Sequence, residues 1–322
     1  MGDAPKTKGT GLKKVIKIVG IVLLAVIIGI AALLKYLGSR PAAPTDYQQT
    51  VQTGGEIEAK YMANGSYEVS MREDAVLQEF EKYIVYYPSV LEMSNEKYPV
   101  IVLCNGSGTP LSKYPAVAEH YASWGFIVIG TAENYSWNAF GAEMCLRYLE
   151  RWNDNEKIED TVSPFYQKVD FDRVGVVGHS QGGVGVINAV TNTEHKYTYK
   201  AGVSLSPTNK ELAHNLLWDY NAALIDIPIM LISGEGGGDD WVVTGEQLQA
   251  IYDDITSDKL MVRRINTAHN EVLYSSDGYV MAWFMWHLQG DQDAAKAFVG
   301  DDAEILTNPL YQDQQINLRA SD

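Results

Sequence analysis

The residues Gly178-His179-Ser180-Gln181-Gly182 set one serine between two glycines, where the apolar run VDFDRVGVVG gives way to the helix-like GVGVINAV. A serine hydroxyl is a weak nucleophile and needs a base to take its proton as it attacks. It also needs a sharp turn that lifts it above a sheet, and a glycine on each side leaves room for that turn. Alone, G-x-S-x-G is a common pattern. A strand before it and a helix behind it give it meaning, because a helix N-terminus favours developing negative charge.

Six histidines are available as the base. His120, His195 and His214 fall in helical or polar connecting segments and read as surface residues. His287 has core-like spacing in a late helix, and His179, next to the serine, points away from it. His269, in INTAHNEV, follows the strand LMVRRINTA, where a loop can carry an imidazole over the serine. The imidazole in turn needs an acid to fix its tautomer. IPIMLISG runs into EGGGDDWVV, placing Asp239 or Asp240 just past a strand end, with Glu235 closer in. The plainer reading of that pair is a solvated turn. The order Ser180, Asp239 or Asp240, His269 is nevertheless the one expected of α/β-hydrolases.

An oxyanion needs two N–H donors, and losing one costs about 10²–10³ in rate. The N–H of Gln181 comes with the serine turn. The second is assigned to Ser107, in the Asn105-Gly106-Ser107-Gly108 loop after YPVIVLCNG. Tyr135 and Trp137 in ENYSW, and Trp241 beside the acid, are candidate substrate contacts. This chemistry requires no metal and no organic cofactor. Cys104 and Cys145 make neither a disulfide framework nor a metal cluster.

Short apolar runs alternate with amphipathic ones around these residues. Strands are expected at 67–71, 83–89, 98–106, 126–132, 169–178, 201–207, 227–234 and 260–268. Helices are expected at 116–125, 140–154, after Ser180, over 210–224 and at 280–291. The pattern predicts a mostly parallel central sheet with helices on both faces, and function beyond the carboxyl ends of its strands.

The N-terminus differs in kind. Residues 18–34, IVGIVLLAVIIGIAALL, hold no charge, and lysines 6, 8, 13 and 14 precede them. That length suits one membrane crossing, and the lysines predict a cytoplasmic tail. The expectation is a tail at 1–14, a transmembrane anchor at 15–35 in contact with the lipid bilayer, and a linker at 36–56. An outward-facing catalytic domain then occupies 57–322, on a single-pass protein of the cell membrane. A cleaved signal peptide would have a shorter apolar stretch and a better cleavage site. Residues 1–40 carry seven Lys or Arg and one acidic residue. The whole chain is at −16, so the remainder carries −22, which disfavours nucleic acid as a partner.

From Tyr98 to Asp291 the chain resembles α/β-hydrolases of the polyester hydrolase and bacterial cutinase type, related to dienelactone-hydrolase-like and platelet-activating-factor-acetylhydrolase-like esterases. The similar segments are YPVIVLCNGSG, HYASWGFIVIGTAEN, VVGHSQGG, LSP and AHNEVLYSSDGYVMAWFMWHLQGD. The resemblance implies Ser180 as nucleophile, His269 as base, Asp239 as acid, and Ser107 and Gln181 as oxyanion donors. Polyester-degrading members carry an aromatic residue at the position of Ser107 and a tryptophan at that of Thr208. Thr208 therefore joins the candidate substrate contacts, and without both aromatics polyester hydrolysis is not expected.

The sequence thus reads as a serine hydrolase acting on carboxylic esters through an acyl-enzyme. With only about twenty residues between Pro207 and Ile227, no large lid is expected, which suits short or accessible esters. The alternatives are an amide or peptide hydrolase on the same triad, and a non-catalytic, membrane-tethered binding module.

Overall fold

Val100, Val102 and Cys104 face one apolar layer, while Ile101 and Leu103 face another. Alternation with both sets buried is what a strand covered on both faces requires. The same division holds at Val176 against Val177, Leu231 against Ile232, and Met261 against Val262. In the computed structural model, which describes residues 19, 28–30, 40–75 and 82–318, these runs form one central sheet. Its strands are β1 (Val69–Ala75), β2 (Lys82–Pro88), β3 (Tyr98–Cys104), β4 (Ile127–Thr131), β7 (Val169–His179), β8 (Tyr199–Leu205), β9 (Ile229–Gly234), β10 (Lys259–Arg264) and β11 (Tyr311–Asn317). The two-residue strands β5 (Lys157–Ile158) and β6 (Thr161–Val162) pair separately.

The sheet order is β1-β2-β4-β3-β7-β8-β9-β10-β11. The strands from β4 to β10 run parallel, and β1, β2 and β11 add antiparallel edges. After β3 the chain moves outward to β4, then returns to place β7 on the other side of β3. The loops leaving β3 and β7 therefore diverge at a switch point, where such sheets hold their ligands.

The labelled helices are α1 (Tyr47–Thr50), α2 (Glu56–Met62), α3 (Pro115–Ser123), α4 (Phe140–Asp154), α5 (Gln181–Asn192), α6 (Lys210–Asn215), α7 (Asp239–Val242), α8 (Gly245–Asp254) and α9 (Asp277–Gln289). Tyr121 of α3 and Trp283 and Phe284 of α9 pack on one face of the sheet. Leu149 of α4, Ile187 of α5 and Ile251 of α8 pack on the other. This is the expected α/β architecture of an α/β-hydrolase.

The chain divides into two compact units, Met1–Pro41 and Ala42–Asp322. In the first, the described residues Val19 and 28–30 are helical. The expected tail at 1–14 and the rest of the expected anchor at 15–35 lie outside the described residues. Among the described residues, no helix is long and apolar enough to cross a membrane.

Three expectations need correction. The linker read over 36–56 ends early, because Ala43 and Tyr47 are buried and the chain is part of the second unit from Ala42. That segment covers α3, so His120, read as a surface residue, is fully buried. Its Nε2 lies 2.9 Å from the Tyr61 carbonyl oxygen and its Nδ1 3.1 Å from the Tyr47 hydroxyl. The single helix expected over 210–224 is instead α6, capped by the Asn209 side chain, and a separate turn at Ala222–Leu224. Leu217, at φ 60°, breaks the path between them.

Candidate active site

β7 ends at His179 and α5 begins at Gln181, which leaves Ser180 alone on the turn at φ 59°, ψ −119°. A residue other than glycine in that region stores strain, so the surroundings must impose it. They do: the Ser180 N–H donates to the Leu205 carbonyl at the end of β8, 2.8 Å away. A β-carbon on Gly178 would fall 2.3 Å from the Gly182 carbonyl oxygen, and one on Gly182 would fall 2.1 Å from that of Cys104. Both glycines are steric necessities of this turn.

The other two elements converge on the serine. β10 ends at Arg264, and the loop after it carries His269, whose Nε2 lies 2.9 Å from Ser180 Oγ. β9 ends at Gly234, and the loop after it opens α7 with Asp239, which is 1% exposed. His269 Nδ1 lies 2.5 Å from Asp239 Oδ1. The other carboxylate oxygen accepts from the Gly234 N–H at 2.6 Å and the Ser206 hydroxyl at 2.8 Å. Burial pushes the Asp239 carboxyl upward. The His269, Ser206 and Gly234 hydrogen bonds outweigh it and hold the group below its ordinary range. An ionised Asp239 accepts the Nδ1 proton, which leaves the Nε2 lone pair facing the serine hydroxyl.

The imidazole is also fixed through its backbone. The His269 N–H donates to the Gly237 carbonyl at 3.0 Å, and His179 Nε2 donates to the His269 carbonyl at 2.7 Å. His179 thus braces His269, with the ring centroids 4.5 Å apart, a contact the sequence did not suggest. Burial, and then the neighbouring His269, push the His179 pKa down to about 3, so at neutral pH it is an uncharged donor.

The loop after β3 approaches from the other side. A β-carbon on Gly106 would lie 3.2 Å from the His179 carbonyl oxygen and 3.8 Å from Ser180 Cβ. Ser107, which follows, is exposed. Asn105 fixes the root of this loop. Its Nδ2 donates to the Thr131 and Glu133 carbonyls at 2.8 and 3.0 Å, and its Oδ1 accepts from the Tyr114 hydroxyl at 2.5 Å. Ser136 ties it to the turn: its N–H donates to Gln181 Oε1 at 2.8 Å, and its hydroxyl donates to the Asn105 carbonyl.

The remaining expected residues separate. Tyr135 and Trp241 are 66% and 67% exposed, and Trp137 is half-buried, its carbonyl accepting from Asn188 Nδ2 at 2.8 Å. Thr208 is buried, which leaves its side chain almost no surface for a substrate; the Tyr220 hydroxyl donates to its carbonyl. Asp240 and Glu235 are exposed and lie outside the Ser180–His269–Asp239 row. His195 sits between Glu143 and Glu150, and His214 pairs with Asp219 at the surface. His287 packs between Trp283 and Trp286. Among the described residues no His/Cys/Asp/Glu cluster could hold a metal.

Sequence reasoning missed Ser206, His179, Asn105, Ser136 and Tyr114. Ser206 had a signal in the LSP segment; the other four act through long-range contacts to carbonyl and amide groups. A family model described as PETase, PET hydrolase-like, matches residues 45–311, well over half of the chain. No curated protein matches it.

Proposed function

The chain belongs to the PET hydrolase-like family of carboxylic ester hydrolases, and on that footing we propose that it is a serine esterase working through an acyl-enzyme. The observation that carries the reading is the continuous hydrogen-bonded row from Ser180 Oγ through His269 to a buried Asp239. Ser180 attacks the ester carbonyl while His269 Nε2 takes its proton. Asp239 holds the imidazole and stabilises its charged form. The N–H groups of Ser107 and Gln181 receive the oxyanion, and protonated His269 delivers its proton to the departing alcohol. Water activated by the same imidazole then releases the acid.

Ser107 and Thr208 stand where polyester-degrading members have aromatic residues, and Ser107 is exposed. Both features support an open site for short or accessible esters rather than a polyester chain. Tyr135, Trp137 and Trp241 are the aromatic candidates to flank the acyl or alcohol group. The apolar stretch at 18–34 and the lysines before it support a membrane anchor at 15–35 that holds the domain outside the cell.

A series of p-nitrophenyl esters of increasing acyl length tests the function. Turnover is expected to be highest on the short esters and abolished in Ser180→Ala. Hydrolysis of anilides at rates equal to or above those of the esters would contradict it in favour of an amidase.

A further inference from the structure

We propose that the segment from Ala42 to Met62 clamps the loop carrying His269, and that Tyr47 and Glu58 are positioning residues for the ester hydrolysis. The proposal rests on the reading of His269 as the base, since only then does the placement of that one imidazole set the rate.

The loop has two feet. One is Arg264, the last residue of β10; the other is Asp277, the first of α9. His269 lies between them. Each foot is a nearly or fully buried charge with one side-chain partner from the N-terminal segment and one from elsewhere, Tyr311 for Arg264 at 2.7 Å and Tyr121 for Asp277. Arg264 donates to Glu58 Oε1 at 2.9 Å and to the Gln52 carbonyl at 2.5 Å. The second Glu58 oxygen accepts from the Gly54 N–H at 2.7 Å and Asn308 Nδ2 at 2.8 Å. Asp277 accepts from the Tyr47 hydroxyl at 2.5 Å, and its other oxygen accepts from Tyr121 at 2.7 Å. Tyr47, Glu58 and Asp277 are 0% exposed.

The segment also touches the loop and the start of α9 directly. The Tyr47 ring packs on Tyr274 with centroids 5.5 Å apart. The Glu58 carbonyl passes so close that a β-carbon on Gly278 would lie 2.3 Å from it. The segment therefore spans the loop as a strut fixed at both feet. A buried charge that loses its partner is costly, and it moves toward water if it can. Here such movement displaces a foot of the histidine loop, while Ser180 stays on the turn after β7 and Asp239 at the start of α7.

The test uses the full chain with Tyr47→Phe and Glu58→Gln, active sites being counted by a fluorophosphonate label. A misplacement of about 1 Å at a catalytic group costs roughly a hundredfold. We expect kcat per labelled site to fall roughly ten- to a hundredfold, with KM within about twofold. The rate of phosphonylation, which needs the same base, should fall in parallel. Tyr61→Phe removes a hydrogen bond from the same segment to Asp291, away from both feet, and should leave kcat unchanged. An unchanged kcat per site in folded Tyr47→Phe and Glu58→Gln overturns the proposal, even if their melting temperatures drop. A wild-type chain that neither takes the label nor hydrolyses esters overturns the function, and the positioning role with it. Amide exchange on the wild type decides the matter if the variants do not fold. Amides of 265–277 should open together with those of 42–62, and loop amides still protected after that segment has opened contradict the clamp.

Discussion

His269 Nδ1 lies 2.5 Å from Asp239 Oδ1, and Asp240, one residue on, stays exposed and outside the row. The two aspartates are therefore separable by substitution. Asp239→Asn offers an amide in place of the acceptor, which favours the wrong imidazole tautomer, and it should lower kcat by about 10⁴. Asp240→Asn should stay within about twofold, as expected of a surface change. Steady-state rates on a p-nitrophenyl ester check both. Equal losses in the two variants would contradict the assignment.

The Ser206 hydroxyl is one of two further donors to the Asp239 carboxylate. Ser206→Ala leaves the Gly234 N–H in place but removes part of what holds that carboxyl low. The expected result is about a tenfold loss in kcat, corresponding to about 1.4 kcal/mol, the scale of one such hydrogen bond. An unchanged kcat would show that Gly234 alone suffices.

The elbow gives a stability prediction. A β-carbon on Gly182 would sit 2.1 Å from the Cys104 carbonyl oxygen, which is backbone and cannot swing aside. Gly182→Ala should cost about 3 kcal/mol, the upper end of what overpacking usually costs, read as a shift in the denaturation midpoint. A midpoint equal to wild type would mean that the turn has a slack its contacts do not show.

His195 gives stability a pH dependence. Its ring nitrogens lie 2.8 Å from Glu143 and 2.9 Å from Glu150. Burial lowers the His195 pKa, but these carboxylates outweigh it and raise it above the ordinary 6.5. Burial likewise raises Glu143, while its bonds to His195 and Arg147 bring it below 4.5. A raised histidine contributes stability that is complete below its unfolded pKa and is lost as pH rises through the folded one. A lowered carboxylate loses its contribution as pH falls through its own folded value. The pair should therefore stabilise most between pH 4.5 and 6.5. The stability gap between wild type and His195→Asn should narrow as pH rises above that window. Urea denaturation at several pH values measures it, and a gap that widens toward alkaline pH would contradict the account.

The Ser180–His269–Asp239 row was legible in the sequence because each member follows a strand that an apolar run announces: VGVVG before Ser180, IPIMLISG before Asp239 and LMVRRINTA before His269. The parallel core was legible for the same reason. β11 was not, since YQDQQIN is a polar edge strand with no apolar alternation to reveal it. Nor was the packing of residues 42–56. Its ties to Asp277 and Arg264 are single polar contacts more than two hundred positions away in the chain, and no local periodicity encodes them. Reading that stretch as a linker also misplaced His120, whose cover it provides. The contact of His179 with the His269 carbonyl was not legible either, because a side chain just before the elbow can turn toward the loop of another element, and only the fold shows that it does.

The most direct test of the central claim is labelling by a fluorophosphonate, which reacts only with a serine whose base is in place. The account predicts one label per wild-type chain, mapped by peptide mass to Ser180, and none in Ser180→Ala. A wild-type chain that stays unlabelled, or equal labelling of Ser180→Ala, would contradict it.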